Sequence, residues 1–319
     1  MKKKLKLLLE LIESYQATDV HFTLQNKRLY VRIRGIYGIQ EVEHKFLDES
    51  LFHYLKFTAN LDLGNSLLPQ SGNFSYVYKQ KELQFRFSYL RTMQLQTGVL
   101  RILNNHQAFA IEDLTKEEAQ VAIFYDWLKR SSGLILLSGP TGAGKTTTLH
   151  ALLEALALQE NKHVITLEDP IEIQSNTYLQ LQINEKIDFT YEEGIKQILR
   201  HDPDVIMIGE IRDGKTAKQL ITAALSGHLV LSTIHAKSCK DVIKRMLDFG
   251  VSVLDLKETL FGLSSQRIYK AKDEERRICI YELMEEQDIQ ILLEGGLLDE
   301  TYQTMEDKIR LAQQRNWIS

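Results

Sequence analysis

The sequence predicts an α/β protein in two parts: a parallel sheet covered by helices, preceded by a smaller α+β domain. Three observations carry this. First, Gly139-Pro140-Thr141-Gly142-Ala143-Gly144-Lys145-Thr146 fits G-x-x-x-x-G-K-[ST], between an apolar run at Leu134 to Leu137 and a helical pattern at Thr147 to Leu158. Second, apolar strands and amphipathic helices alternate downstream of it, the order that builds a parallel sheet. Third, the upstream strands alternate apolar and polar residues with period two, as sheets with one wet face do.

The elements follow in order. Met1 to Ile12, with its charged start and leucine-rich centre, reads as a helix; Glu10 and Glu13 interrupt it, which argues against a signal peptide. It either packs on its own domain or touches a membrane surface or partner through its lysines. Strands are expected at Val20 to Leu24 and Leu29 to Ile36, and an amphipathic helix at Phe46 to Leu61. A hairpin follows, Phe74 to Tyr78 and Leu83 to Leu90 around the polar Lys79 to Glu82, then a strand at Gly98 to Leu103. Interleaved aromatics and arginines here could grip nucleic acid, but the alternation is explained more simply by one buried and one wet face.

The expected domains are 1–104, a linker at 105–113, and 114–319. Thr115-Lys-Glu-Glu118 has capping-box spacing and is expected to open a helix through Lys129. Strands at His163 to Leu167, Leu179 to Ile183, Val205 to Ile208 and Leu229 to Thr233 alternate with helices at Thr190 to Leu199 and Gly214 to Leu225. Helices at Cys239 to Phe249, Val253 to Leu263 and Thr301 to Asn316 are expected to close the chain as a helical subdomain, around a last strand at Ile278 to Leu283.

Composition excludes several classes. With 319 residues, 44% hydrophobic and 26% charged, the chain can bury about two cores. A formal charge of −4 gives no general attraction to nucleic acid, so direct nucleic-acid binding is not expected. Cys239 and Cys279 form no C-x-x-C, which argues against a disulfide framework or a zinc site and points to a reduced, cytoplasmic setting. No apolar run approaches the roughly 20 residues that span a bilayer.

The phosphate-loop pattern supplies the first chemistry. Its glycines let backbone N–H groups curl around phosphate oxygens at the positive end of a helix, where Thr147 extends the first turn. Lys145 reaches the outer phosphates, and the Thr146 hydroxyl can ligate Mg²⁺. A nucleoside triphosphate is therefore the expected ligand. Hydrolysis also needs a group that orients water, and two acidic strand ends follow the loop. One is Val164-Ile-Thr-Leu-Glu168-Asp169-Pro-Ile-Glu172. The other is Asp204-Val-Ile-Met-Ile-Gly209-Glu210-Ile-Arg-Asp213, where Glu210 is the expected carboxylate near the metal, acting through water, and Asp213 a helix cap. A third strand, Gly227-His228 to His235-Ala, carries a histidine at each end. His235 could sense the γ-phosphate, and the pair is too far apart to share one zinc ion.

The order of these boxes, with Arg200-His-Asp-Pro-Asp204, Thr222-Ala-Ala-Leu-Ser-Gly-His228 and Ser232-Thr-Ile-His235, resembles the secretion ATPases of type II secretion, type IV pili and competence systems. Ala17-Thr-Asp-Val-His-Phe22, Val31-Arg-Ile-Arg-Gly35, Phe85-Arg86-Phe-Ser-Tyr, Val99-Leu-Arg101-Ile-Leu103, Ser265-Gln-Arg267-Ile and Ile280-Tyr-Glu282-Leu extend the resemblance over nearly the whole chain. It implies a RecA-like P-loop ATPase domain after a PAS-like N-terminal domain. It implies that Lys145 and Thr146 hold phosphate and Mg²⁺, that Glu172, with Glu168 and Asp169 as alternatives, activates water, and that Glu210 is the Walker B acid. Arg86, Arg91 and Arg101 match arginines that the family turns to the phosphates; without the resemblance they read as solvent-face strand residues.

The family's four-cysteine zinc insert is missing after Gln266-Arg267, so ATP and Mg²⁺ are expected and zinc is not, and the family's extra N-terminal docking domain is not expected either. The chain thus looks most like the competence-type pseudopilus ATPase. That implies a homo-hexameric motor at the inner face of the cell membrane, working on a polytopic membrane platform protein in DNA uptake. The alternatives are a retraction motor of the same family and an ATP-binding scaffold without turnover.

Overall fold

A computed structural model describes residues 1–35, 38–64, 68–92, 94–103, 109–184, 187–272 and 277–318. The chain divides into two compact units, Met1–Gln107 and Ala108–Ser319. Residues 105–108 of the expected linker lie outside the described residues; its last residues, 111–113, belong to a short helix, α3 (Ile111–Leu114), with Ile111 and Leu114 buried.

The first unit is one antiparallel sheet with helices on one face. Its strands are β1 (Asp19–Gln25), β2 (Arg28–Gly35), β3 (Gly38–Val42), β4 (Gln70–Tyr78), β5 (Lys81–Arg91) and β6 (Gln96–Ile102), ordered β3-β2-β1-β6-β5-β4. Period-two alternation sends Phe22, Val31, Ile33, Phe85, Phe87 and Leu100 into the core. Helix α1 (Lys2–Ser14) presents Leu5, Leu8, Leu9 and Ile12 to that core, so its apolar stripe is occupied by its own domain. Lys2, Lys3 and Lys6 stay exposed and Lys4 pairs with Asp48. Helix α2 (Glu49–Thr58) is shorter at both ends than the expected 46–61: Asp48 caps it by accepting from the Leu51 N–H, and Asn60 turns left-handed at φ +54°.

The second unit is a seven-stranded sheet between two helical layers. Its strands are β7 (Gly133–Ser138), β8 (Val164–Glu168), β9 (Leu179–Gln182), β10 (Val205–Ile211), β11 (Leu229–Ile234), β12 (Leu260–Lys270) and β13 (Arg277–Glu285), ordered β13-β12-β7-β11-β10-β8-β9. All neighbours run parallel except the β12–β13 hairpin. Helices α4 (Glu118–Leu128) and α5 (Lys145–Leu158) join α3 on one face, over Ile135, Leu137, Met207 and Leu231. On the other face α6 (Tyr191–Ile198), α7 (Gly214–Leu225), α8 (Cys239–Asp248), α9 (Val253–Thr259) and α10 (Glu286–Leu293) cover Leu134, Leu136, Ile206 and Val230. Helix α11 (Met305–Gln314) packs by β13 with Ile278 and Ile280.

Three expectations need correction. The helix expected over Val253 to Leu263 ends at Thr259, and Leu260 begins β12, whose backbone pairs with the phosphate-loop strand β7. Thr115 does not cap a helix with Glu118. Its hydroxyl donates to Gln120 and accepts from the Glu117 N–H, and α4 starts at Glu118 without a side-chain cap. The last helix starts at Met305 rather than Thr301, where Thr304 and Asp307 form the capping box. Of the stretch after Gln266-Arg267 that lacks the family's zinc insert, residues 273–276 lie outside the described residues.

Candidate nucleotide site

The second unit places its chemistry at the C-terminal ends of the parallel strands, the edge where such sheets bind ligands. Strand β7 delivers the Gly139–Thr146 loop. Gly139, Gly142 and Gly144 have φ of +145°, +78° and +83°, conformations that side-chain-bearing residues rarely adopt. Gly144 is the N-cap of α5 and supplies no side-chain cap, so the first-turn N–H groups face the loop's concavity. Pro140, Thr141 and Gly142 are exposed at its rim, Ala143 is buried, and Thr146 and Thr147 are half-buried in the first turn. Lys145 Nζ donates to the Gly139 and Pro140 carbonyls at 3.0 and 3.2 Å. Burial lowers the pKa of this ammonium, Arg267 lowers it further, and Glu210 and Glu172 oppose them. A phosphate would meet a poorly solvated cation there.

Glu210 sits on a β-irregularity: the β10–β11 register shifts between Ile208 and Ile211. Ser232 and Thr233 of β11 donate to the Ile208 and Gly209 carbonyls, both at 2.7 Å, and so fix the shifted segment. Glu210 Oε1 lies 2.8 Å from His235 Nε2, and Oε2 accepts from Arg212 Nε at 2.8 Å. His235 is therefore gathered with Glu210, whereas His228, at the other end of β11, lies 3.1 Å from the Ala223 carbonyl. Asp213 caps α7 through the Thr216 N–H at 2.8 Å.

Of the three carboxylates at and after the end of β8, Glu168 is buried and engaged, accepting from Thr166 at 2.7 Å and Gln180 at 3.0 Å with His150 at 3.6 Å. Asp169 faces Arg212 at 3.9 Å. Glu172 is exposed and close enough to Lys145 to act on its charge. The loop carrying Glu172 is tied to α5: Ser175 and Thr177 donate to Glu154, and Tyr178 bonds His150.

Beside the phosphate loop lies a cavity of about 540 Å³ lined by Gly139, Pro140, His235, Lys237, Lys244 and Arg267, among others. The oxygen donors Thr146 and Glu210 suit a hard divalent cation such as Mg²⁺. Among the described residues no three of His, Cys, Asp and Glu gather into a metal cage.

In the first unit, Arg86 and Arg101 are direct cross-strand partners on the face turned away from the core. Arg86 Nε donates to Asn73 at 3.3 Å, and Arg101 Nε to Asp19 at 2.8 Å. Arg91 is not with them. Five residues further along β5, it lines a separate cavity of about 200 Å³ with Lys27, Glu49 and Gln96. Sequence reasoning missed Asp19 as the partner of Arg101, and missed that Arg34 lies opposite Asp19 on the same face. The period-two parity of β1 and β2 held that signal.

Fold and site together define a P-loop ATPase. Residues 1–312 match the family described as type II/IV secretion system protein. The chain is 31% identical to the competence protein ComGA of Bacillus subtilis (strain 168), over 97% of this chain and 93% of that protein. It is 38% identical to ComGA of Halalkalibacterium halodurans, over 84% of this chain and 77% of that one. Among solved structures, the Legionella pneumophila ATPase DotB superposes with a TM-score of 0.81 at 21% identity, covering 99% of this chain and 92% of that one, a likeness of fold. The chain belongs to the type II/IV secretion system protein family. No helix among the described residues is long and apolar enough to cross a membrane.

Proposed function

We propose that this chain is the ATP-hydrolysing motor of a competence pseudopilus, working as a homo-hexamer against a polytopic membrane protein at the cytoplasmic face of the membrane and serving DNA uptake. The observation that carries this reading is near full-length similarity to ComGA proteins in a chain whose loop, Glu210–His235 pair and exposed Glu172 converge on one sheet edge.

In this reading the loop N–H groups and Lys145 would hold the triphosphate, and Thr146 and Glu210, the latter through water, would hold Mg²⁺, which would neutralise phosphate charge. Glu172 orients the attacking water and takes its proton. His235 and Arg212 keep Glu210 in one orientation. Arg86 and Arg101, carried by the first unit of the same or a neighbouring copy, neutralise charge developing on the transferred phosphoryl group, so turnover requires movement.

The test is phosphate release by the purified chain beside Lys145→Ala and Glu172→Gln. A motor loses nearly all turnover in both; a scaffold shows no difference from wild type. Mass in solution with and without nucleotide is expected to show the hexamer, and an active monomer contradicts a shared site. A deletion strain separates assembly from retraction: loss of an assembly motor removes filaments, whereas loss of a retraction motor leaves them in excess.

A further inference from the structure

Strand β12 lies beside the phosphate-loop strand, and Ser265 pairs with Ser138, the residue before the loop. The next residue, Gln266, is fully buried and touches the loop at both ends. Its backbone carbonyl lies where a Cβ on Gly139 would stand, 2.6 Å away, and its side-chain Nε2 donates to the Ala143 carbonyl at 2.7 Å. The same nitrogen lies 3.3 Å from Thr148 Oγ1 in the first helical turns, and Thr148 shares a 2.7 Å hydrogen bond with the buried Tyr281 hydroxyl. Tyr281 is held in turn: its carbonyl accepts from Gln120 of α4 at 2.9 Å. Ile268, two residues on, closes against Gly144. A carbonyl buried beneath a loop of left-handed glycines needs a donor, and the Gln266 amide supplies it.

We propose that Gln266 is a positioning residue: by donating to the Ala143 carbonyl while its own backbone underlies Gly139, it holds the loop in the curvature that receives the nucleotide's phosphates. It touches no phosphate itself. Its neighbours fix the opposite wall, since Ser265 Oγ and Arg267 Nη2 both donate to the Lys237 carbonyl, at 3.2 and 2.7 Å, just past His235. The tripeptide thus braces both loops that border the cavity.

The inference rests on the reading that the loop holds a nucleotide. The titratable groups facing Gln266 are Cys279 at 3.6 Å, with Tyr281 beyond it, and Arg267, whose Nη1 donates to the Gln266 carbonyl at 2.9 Å. Burial pushes the Cys279 thiol up to about 12 and the Tyr281 hydroxyl well above its ordinary range, so neither changes charge between about pH 6 and pH 9.

The experiment is equilibrium binding of a fluorescent ADP derivative to the full chain, for wild type, Gln266→Met and Gln266→Glu, at about pH 6 and about pH 9, with melting temperatures recorded alongside. Gln266→Met fills the space without a donor and is expected to weaken binding about tenfold at both pH values. Gln266→Glu can donate to the Ala143 carbonyl only when protonated, so its affinity should approach wild type at the lower pH and fall at least tenfold at the higher. Should Gln266→Met fail to fold, the Gln266→Glu profile decides alone. Binding within twofold of wild type for Gln266→Met overturns the proposal. So does a Gln266→Glu profile parallel to that of wild type. Wild-type protein that binds no nucleotide overturns instead the reading beneath it.

Discussion

Replacing Gly139 and Gly142 by alanine, one at a time, separates the shape of the phosphate loop from its mere glycine content. Both residues have positive φ, so alanine at either costs about 1–3 kcal/mol of backbone strain. Their surroundings differ. A Cβ on Gly142 meets nothing within 4 Å, whereas one on Gly139 would lie 2.6 Å from the Gln266 carbonyl oxygen and 3.1 Å from Ala143 Cβ. That oxygen accepts from Arg267 Nη1 at 2.9 Å, in a strand paired with β13 through Gln266 and with β7 as far as Ser265, so it has little room to swing aside. Overpacking of this kind adds about 1–3 kcal/mol. At roughly 2–4 °C per kcal/mol for a unit of this size, Gly139→Ala should melt roughly 2–12 °C below Gly142→Ala. The assay is thermal denaturation without nucleotide, so that ligand stabilisation does not enter. Equal melting temperatures, or the reverse order, would refute the idea that β12 templates the loop.

Two further outcomes probe the same unit. Burial raises the Glu282 carboxyl above its ordinary value, against the hydrogen bond it accepts from Tyr302 at 2.7 Å. The folded state therefore keeps a proton that the unfolded chain releases, so the stability from the neutral acid is full below the unfolded value of about 4.3 and is lost as pH rises through the folded one. Glu282→Gln should leave urea midpoints unchanged near pH 4 and raise them near pH 8; a variant less stable at the higher pH contradicts this. Asp213→Ala removes the α7 cap and should cost about 1 kcal/mol in urea denaturation, with Asp213→Asn close to wild type; equal losses in the two would show that capping is not what Asp213 contributes.

Where period and chemistry agreed, the sequence was easily read. Short apolar runs flanked by glycine, such as Leu134 to Leu137, read as strands buried on both faces, and Asp213 before Gly214 reads as a cap because its side chain competes for the first N–H groups. Strand β3 gave no such signal: Gly38 to Val42 lies on an edge with nearly every residue exposed, so no alternation marks it. The β12 error came from Val253, Leu256 and Leu260 continuing a helical spacing while the backbone turned extended at Leu260, where pairing with β7 outweighs local preference. The same error hid Gln266, whose importance depends on a neighbour, Ala143, 123 residues away. Grouping Arg91 with Arg86 and Arg101 ignored strand parity: five residues along β5 is an odd step, which places Arg91 on the side of Phe85, Phe87 and Tyr89.

The measurement that bears most directly on the motor reading is single-turnover ATP hydrolysis, with nucleotide affinity measured on the same samples, for wild type, Arg86→Ala and Arg101→Ala. If guanidinium groups of the first unit act on the transferred phosphoryl group, affinity should stay within a few-fold while the hydrolytic rate falls about 100-fold or more. Rates equal to wild type in both variants would contradict that coupling and leave a nucleotide site whose chemistry is complete within the second unit.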